Sequence, residues 1–385
     1  MLKCISLYTC EVDDPKIALL EIKKQLDEKI SLLEHSVGVI MCNAEFIATG
    51  VLKHICENLP FPLAGVTTAS QAVNDEIGDI ILTVFVMTSD DVIFRTGVTE
   101  SLNDEVDITA KAAYDKAAAG RSELPKLALV FPPFGIHAGD TYVRAWEKII
   151  PGVPLFGTHA IDDTALFSEC ETIYNGANYK AAMPFILCYG NINPRFMIAT
   201  FSENSAVTPK AEVTKATGNC VYEIDHDIAF RYFQDRGFVE SVTYTPFMID
   251  LLKREDYDGV PVIRGHASFT EDGATVFYGD VDEGSTFTML KCDADDIVST
   301  TRQKARQINK LPDVNGALLF PCAVRRVALL SIGKPLLELK AAREAIDPKI
   351  PFMIGYAGGE ICPTSVRNGA PTNRFHNYSL IILVV

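Results

Sequence analysis

The sequence lacks the features that mark several large classes of protein. Basic residues are outnumbered, with 35 Lys and Arg against 50 Asp and Glu, and the formal net charge is −15. Adjacent basic residues come only as isolated pairs such as Arg325-Arg326, so the clustered positive charge that nucleic-acid phosphates demand is missing. No apolar run approaches the length that crosses a bilayer. The first ten residues are apolar but run into Glu11, Asp13 and Asp14. They carry neither a basic start nor a small-residue cleavage site, which excludes a signal peptide. These absences predict a cytoplasmic protein with no nucleic-acid partner and no membrane insertion.

The ten cysteines include no Cys-x-x-Cys and no Cys/His spacing of the zinc type. Most sit inside apolar runs, as Cys42 and Cys188 do, and read as buried reduced thiols rather than a disulfide framework. Gly-x-Ser-x-Gly, the Walker loop, the dinucleotide-binding glycine pattern and a metal triad are all absent. A standard reaction class therefore has no support in the motifs.

What is present is the composition of a folded globular chain, 48% hydrophobic and 22% charged, long enough at 385 residues for more than one packed unit. One pattern occurs three times: a buried strand, a loop, a helix, a proline-marked entry, a second strand and a glycine-led turn. The first copy runs from strand Val37–Cys42 through a helix at Leu52–Leu59 to Pro60-Phe-Pro-Leu-Ala-Gly65-Val-Thr-Thr-Ala69. The second runs from Leu127–Phe131 through Tyr142–Ile150 to Pro151-Gly-Val-Pro-Leu-Phe-Gly157-Thr-His-Ala160. The third runs from Ala317–Phe320 through Leu336–Ile346 to Pro348-Lys-Ile-Pro-Phe-Met-Ile-Gly355-Tyr-Ala-Gly-Gly359.

The first strands are unbroken apolar runs, as expected of strands covered on both faces. The prolines cannot continue a helix and force an extended entry to the next strand. Each copy then returns through apolar strands: Ile80–Met87 and Val92–Arg95, Phe185–Tyr189 and Phe196–Ala199, and finally Tyr378–Val385. The turns Ser89–Asp91 and Asn191–Pro194 make the first two pairs read as hairpins. The expected fold is α/β, with mixed sheets flanked by helices and built from repeated strand-helix-strand-hairpin units.

Between the second and third copies lies a more β-rich insert. It holds a hairpin over Ala211–Ile224, a helix over Asp227–Asp235, and turns at Glu271–Gly273 and Asp282–Gly284. A boundary in the polar stretch Ser202–Pro209 divides the chain into 1–205 and 206–385. The last strand ends the sequence without a polar tail, which suits either a stand-alone protein or part of a longer one.

Ligands of open α/β sheets gather at loops that leave the carboxyl ends of strands. Those loops carry Thr68 in the first copy, His137 and His159 in the second, and Cys322, Arg325, Gly359, Glu360, His376 and Asn377 in the third. Arg325 suits a carboxylate or phosphate, or a salt bridge to Glu360. It also stands three residues after Cys322, where it would lower the thiol's pKa. Glu360 suits an amine or that same arginine. Gly359 permits close backbone approach. His376 suits a structural hydrogen bond or a ligand contact, and Asn377 a turn cap.

Phe-Pro-Cys322-Ala-Val-Arg325, Gly355-Tyr-Ala-Gly-Gly359-Glu360-Ile and Phe375-His376-Asn377-Tyr ahead of the last strand resemble the C-terminal signature of the FIST family (F-box and intracellular signal transduction proteins). Gly65-Val-Thr-Thr-Ala69 is similar to its N-terminal segment, and Val213–Glu223 with the following helix is also similar. Two motifs depart from the family pattern. Gly157-Thr-His-Ala160-Ile-Asp162 stands for a Gly-Gly-x-Ala-x-Asp, and Gly358-Gly359-Glu360 for a Tyr-Gly-Glu.

The resemblance implies a sensory domain for a small ligand, an amino acid or small carboxylate, acting on a downstream signalling protein. It also implies haem for some members, for which His137, His159 or His376 would serve as axial ligand. The enzyme alternative takes Cys322 as nucleophile and His376 as base.

Overall fold

The computed structural model of the protein describes residues 1–103, 105–164, 167–202, 205–239, 248–252, 262–367 and 370–385. It shows three units with one element order. Unit one is β1 (Leu2–Thr9), α1 (Pro15–Lys29), β2 (His35–Cys42), α2 (Glu45–Ala48), α3 (Val51–Asn58), β3 (Leu63–Thr67), β4 (Gln71–Val73), β5 (Ile77–Gly78) and β6 (Leu82–Ser89). Unit two is β7 (Val92–Val98), α4 (Val106–Ala117), β8 (Leu127–Val130), α5 (Gly139–Ile149), β9 (Leu155–Thr158), β10 (Thr172–Tyr174), β11 (Ala177–Tyr179) and β12 (Pro184–Gly190).

Unit three opens with β13 (Arg195–Ala199) and is then interrupted. The interruption holds β14 (Ala211–Thr217), β15 (Cys220–Ile224), β16 (Asp227–Ile228), α6 (Ala229–Asp235), β17 (Met248–Leu252), β18 (Val262–Phe269), β19 (Thr275–Phe277) and β20 (Thr286–Leu290). The unit resumes with α7 (Ala294–Ile308), β21 (Ala317–Pro321), α8 (Ala323–Leu330), α9 (Leu337–Ala345), β22 (Phe352–Gly355), β23 (Glu360–Arg367), β24 (Ala370–His376) and β25 (Leu380–Val384).

Each unit builds a sheet of four of its own strands and two borrowed ones. The orders are β1-β6-β2-β3-β10-β11, β7-β12-β8-β9-β23-β24 and β13-β25-β21-β22-β4-β5. The borrowed hairpins pass around a cycle: unit two lends to unit one, unit three to unit two, and unit one to unit three. At the centre of each sheet lies one parallel pair, β2/β3, β8/β9 or β21/β22, with antiparallel neighbours. The interrupting segment closes on itself, because β14 pairs with both β20 and β15. It is a small antiparallel barrel with its own core of Val213, Val221, Phe233, Phe277 and Phe287.

Strand alternation explains the layering. Val37, Val39 and Met41 of β2 share one central cluster with Leu127 and Leu129 of β8 and with Leu318 and Phe320 of β21. The intervening Ile40, Val130 and Leu319 face outward onto helices, each in a separate cluster. The three sheets thus bury their inner faces against one another, and Phe156 stacks on Phe320 across two of them with ring centroids 5.2 Å apart.

The mixed α/β reading holds, and so do the three core repeats and the hairpin of the insert. Two expectations change. The turns at 89–91 and 191–194 do not close hairpins: β6 and β7 lie in different sheets, as do β12 and β13. They are the joints between units. The boundary near 205 lies in the connection from β13 to the barrel, with 203 and 204 outside the described residues, and chain from both sides of it shares two of the large sheets. All ten cysteines are free; Cys10 is exposed, and Cys170, Cys220 and Cys292 are half-buried.

Parallel strands pack closest where a glycine faces the neighbouring backbone. A Cβ on Gly157 would lie 1.8 Å from the Val130 carbonyl oxygen, and one on Gly65, at the same place in unit one, 1.7 Å from that of Ile40. A Cβ on Gly78 would meet nothing within 4 Å. Gly157→Ala is therefore expected to cost about 3 kcal/mol or more, and Gly78→Ala less than about 0.5 kcal/mol. Urea unfolding of both variants checks the contrast.

Candidate functional site

The repeat permits a position-by-position comparison of the three strand-end loops. The parallel pairs start in one register, Gly38 with Leu63, Ala128 with Leu155 and Ala317 with Phe352. Beyond the strand ends the same backbone bond recurs, from Thr68 N–H to Cys42 O, Ala160 N–H to Pro132 O and Ala357 N–H to Pro321 O, at 2.9, 3.2 and 2.8 Å. Asn43, Pro133 and Cys322 thus hold equivalent places. So do Gln71, Thr172 and Glu360, each the first residue of an exchanged hairpin, paired with Gly355, Val66 and Thr158 respectively.

These last three side chains are fully buried. In two units the residue is a donor: Gln71 Nε2 donates to Ile81 O at 2.6 Å, and Thr172 Oγ1 to Ala182 O at 2.7 Å. Unit three inverts the arrangement. Ser379, in the place of Ile81 and Ala182, donates its hydroxyl to Glu360 Oε2 at 2.8 Å. Glu360 Oε1 is buried without a hydrogen-bond partner. The cross-strand neighbour of Glu360 is His376.

Burial pushes the Glu360 carboxyl up to about 8, against the pull of Ser379, Cys322 and the Arg325 charge. The carboxyl is accordingly neutral at pH 7. The Cys322 thiol lies against it; burial first, and then the Glu360 charge, push that thiol well above its ordinary value. This overturns the expectation that Arg325 makes Cys322 a thiolate.

Arg325 is spent elsewhere. It is fully buried, donates from Nε to Glu338 Oε1 at 2.8 Å, and donates from Nη2 to Thr301 Oγ1 at 2.9 Å and Ile297 O at 3.3 Å. Its Nη1 donates to Tyr378 O at 3.1 Å. The salt bridge expected with Glu360 is made with Glu338 of α9 instead, because α8 turns the guanidinium toward the helices that cover the sheet. The neighbouring Arg326 bonds Ser70 and Asp79.

Four other residues read from the sequence also have structural partners. His376 is buried with Nε2 3.1 Å from Cys362 O, and burial pushes it down to about 3. His159 is wedged between the rings of Tyr142 and Phe375, both at 5.3 Å, and burial pushes it down to about 3 as well. Thr68 donates to Tyr356 O at 2.7 Å, tying unit one to unit three. Gly359 has φ +135°, and a Cβ there would lie 2.6 Å from Phe375 Cζ, so the close approach is to that ring.

A small hollow with about 20 Å3 of interior room, partly open to solvent, lies where unit two, unit three and the barrel meet. Cys322 and Asn377 line it, with Ala357 and Gly358 beside them. Glu360 sits behind Cys322, and Asn377 accepts a bond from Gly265 N–H of the barrel at 3.2 Å. The walls are aromatic: Phe134 and Phe167 of unit two, Tyr278 of the barrel and Tyr378 of unit three. Phe134 meets Phe167 edge-on at 5.7 Å and Tyr278 at 5.9 Å.

Sequence reasoning missed these four rings. Phe134 follows Pro132-Pro133 in a strand-end loop and was within reach of the loop argument; Tyr278 carried no local signal. None of the three histidines weighed as haem ligands lines the hollow, and His137 Nε2 lies 2.6 Å from Leu102 O. His159 and His376 are packed as described above, so haem ligation would require repacking. Among the described residues, no group of three or more His, Cys, Asp or Glu is arranged to hold a metal ion.

Two outcomes follow. The folded carboxyl of Glu360 keeps its proton to about pH 8, while an unfolded one releases it near the ordinary glutamate value of 4.5. The folded state then binds the extra proton between those values, and stability falls as pH rises through that window. Glu360→Gln should match the native protein near pH 5 and melt about 2 °C or more higher at pH 8.5, as scanning calorimetry will read. Arg325→Ala strands a buried carboxylate and should cost about 3–5 kcal/mol in urea unfolding.

Comparison with known proteins agrees with the motif order. The FIST N domain model matches residues 36–227 and the FIST C domain model residues 229–363. The two matches meet at β16, inside the barrel. No curated protein matches the chain. Among the described residues, no helix is long and apolar enough to cross a membrane. FIST domains are associated with sensing in signal transduction. With both domains matched in order over most of its length, the chain belongs to the FIST family.

Proposed function

We propose that the chain is a sensory module that takes up a small molecule in the hollow between unit two, unit three and the barrel. The observation that carries this reading is the hollow itself, partly open to solvent and walled by four aromatic rings, at the carboxyl ends of the parallel strands of unit three. An apolar wall with a few polar groups is the usual lining of small-molecule sites, and with only about 20 Å3 of interior room a ligand must sit partly in the opening. The resemblance implied an amino acid or small carboxylate. An acidic ligand would have to manage without a guanidinium, because Arg325 is saturated by protein groups. Recognition then falls to the rings, the Cys322 thiol and the Asn377 amide, which favours a ligand with an apolar body.

The same geometry supports binding over turnover. Cys322 holds its proton, and His376, the base in the enzyme reading, directs Nε2 at a backbone carbonyl. The output element is α8, whose first residues Ala323 and Val324 line the hollow while Val327 and Leu330 on the same helix are exposed. A ligand that wedges against the start of α8 can thus bias a surface that a downstream partner reads.

A thermal-shift screen of small metabolites of every charge type tests the proposal. At least one compound should raise the melting point of the native protein and leave a Val324→Phe variant, whose added ring fills the hollow, unmoved. If no compound in a wide panel gives a shift that Val324→Phe abolishes, the reading fails.

A further inference from the structure

Resting on that reading of the hollow, we infer that its occupant is a small amine, a primary or methylated ammonium on an apolar body, and that Glu360 becomes its counter-ion. Three independent observations converge on a cation. The first is what the lining lacks: among the described residues that form it there is no lysine, arginine or histidine side chain. The nearest guanidinium, Arg325, is held on all sides by Glu338, Thr301 and two carbonyls. Arg326 is likewise held by Ser70 and Asp79.

The second is the wall. Phe134, Phe167, Tyr278 and Tyr378 surround a compact space, and aromatic rings attract ammonium groups through their electron-rich faces while excluding water. The third is the orphaned oxygen. Glu360 Oε1 is fully buried and accepts no bond from a nitrogen or oxygen donor, with the carboxyl lying against the weakly donating Cys322 thiol that lines the hollow. A buried carboxyl without a counter-charge is costly to ionise, and an ammonium in the hollow removes that cost.

The repeat strengthens the case. At the places equivalent to Glu360, Gln71 and Thr172 use neutral donors on a backbone carbonyl, and that arrangement completes the sheet without a charge. Packing alone does not call for a carboxyl there. Against a cation stands the positive end of α8, which begins at the hollow. That helix has only eight residues, and its first amide, Ala323 N–H, is spent on Ala357 O at 2.8 Å. A full carboxylate charge one thiol away outweighs so short a dipole.

Proton balance gives the inference a second readout. The titratable neighbours of Glu360 are Cys322 at the start of α8, Cys362 on its own strand and His376 on β24, with Arg325 the charged group on α8. Both thiols are pushed above their ordinary values and His376 below its own, so all three are neutral at pH 7. When an ammonium arrives, Glu360 releases its proton to solvent. Binding below pH 8 should therefore release about one proton per site.

The test compares four compounds with one branched body: isoamylamine, leucine, 4-methylpentanoate and isoamyl alcohol. Phenethylamine and tetramethylammonium are added as larger and permanently charged amines. Calorimetric titration at pH 7 in two buffers of different ionisation enthalpy reads affinity and proton release together. At least one amine should bind ten-fold or more tighter than leucine and the carboxylate, with release approaching one proton. Glu360→Gln, checked for a melting curve that matches the native protein near pH 5, should weaken it at least ten-fold and abolish the release.

The inference is overturned if leucine or the carboxylate binds as well as the amines, if Glu360→Gln leaves affinity and proton count unchanged, or if none of the amines binds. The reading of the hollow as a ligand site survives any of these results, provided some compound of the wide panel still gives a shift that Val324→Phe removes.

Discussion

Each of the three large sheets is unfinished until a neighbouring unit lends it a hairpin. Without the loan, β3, β9 and β22 would be edge strands with bare backbone groups, although all three are buried and apolar. The cyclic exchange satisfies those groups and also presses the inner faces of the sheets into one cluster. Every other feature of the body follows from this constraint. The loops between the second strand of each pair and its exported hairpin must cross from one unit to the next, and the crossing of unit three into unit two, from Gly355 to Glu360, passes beside the hollow.

The site is best understood as a departure from the repeat. Two of the three crossings end in a neutral side chain that donates to a carbonyl, and the third ends in a carboxyl whose partner is a serine hydroxyl. Likewise Asn43 and Pro133 have as their counterpart a thiol that faces the hollow. A fold that repeats its packing three times has no structural need for these exceptions. The barrel, inserted only in unit three, supplies the remaining wall through Tyr278 and anchors itself through Arg264, which pairs with Asp140 of unit two at 3.2 Å.

Much of the body was legible in the residues. The parallel pairs were marked by unbroken apolar runs, and the entries by proline, because both signals are local. Strand β1 and the helices that open each unit were not recognised, and β7 and β13 were read as the returning arms of hairpins. α1 and α4 mix charge and exposed apolar residues, such as Leu20 and Ile108, so their apolar face is faint. The lent hairpins were missed because β4, β5, β10 and β11 are two or three residues long. Their partners are also distant: Gln71 pairs with Gly355. Of the eight site residues, Cys322 and Asn377 line the hollow, and both were reached by motif alone. Arg325 does not, and nothing local announces that α8 aims it at Glu338, thirteen positions on.

The exchange has a consequence for synthesis. Unit one is completed by β10 and β11, which emerge from the ribosome only after residue 179, and unit three reuses β4 and β5, made long before it. Unit two must wait longest, for β23 and β24, which follow the whole barrel in the chain. Until then a nascent chain carries β9 with one side open, and the half-built hollow stays exposed to whatever chaperone or stray strand reaches it first.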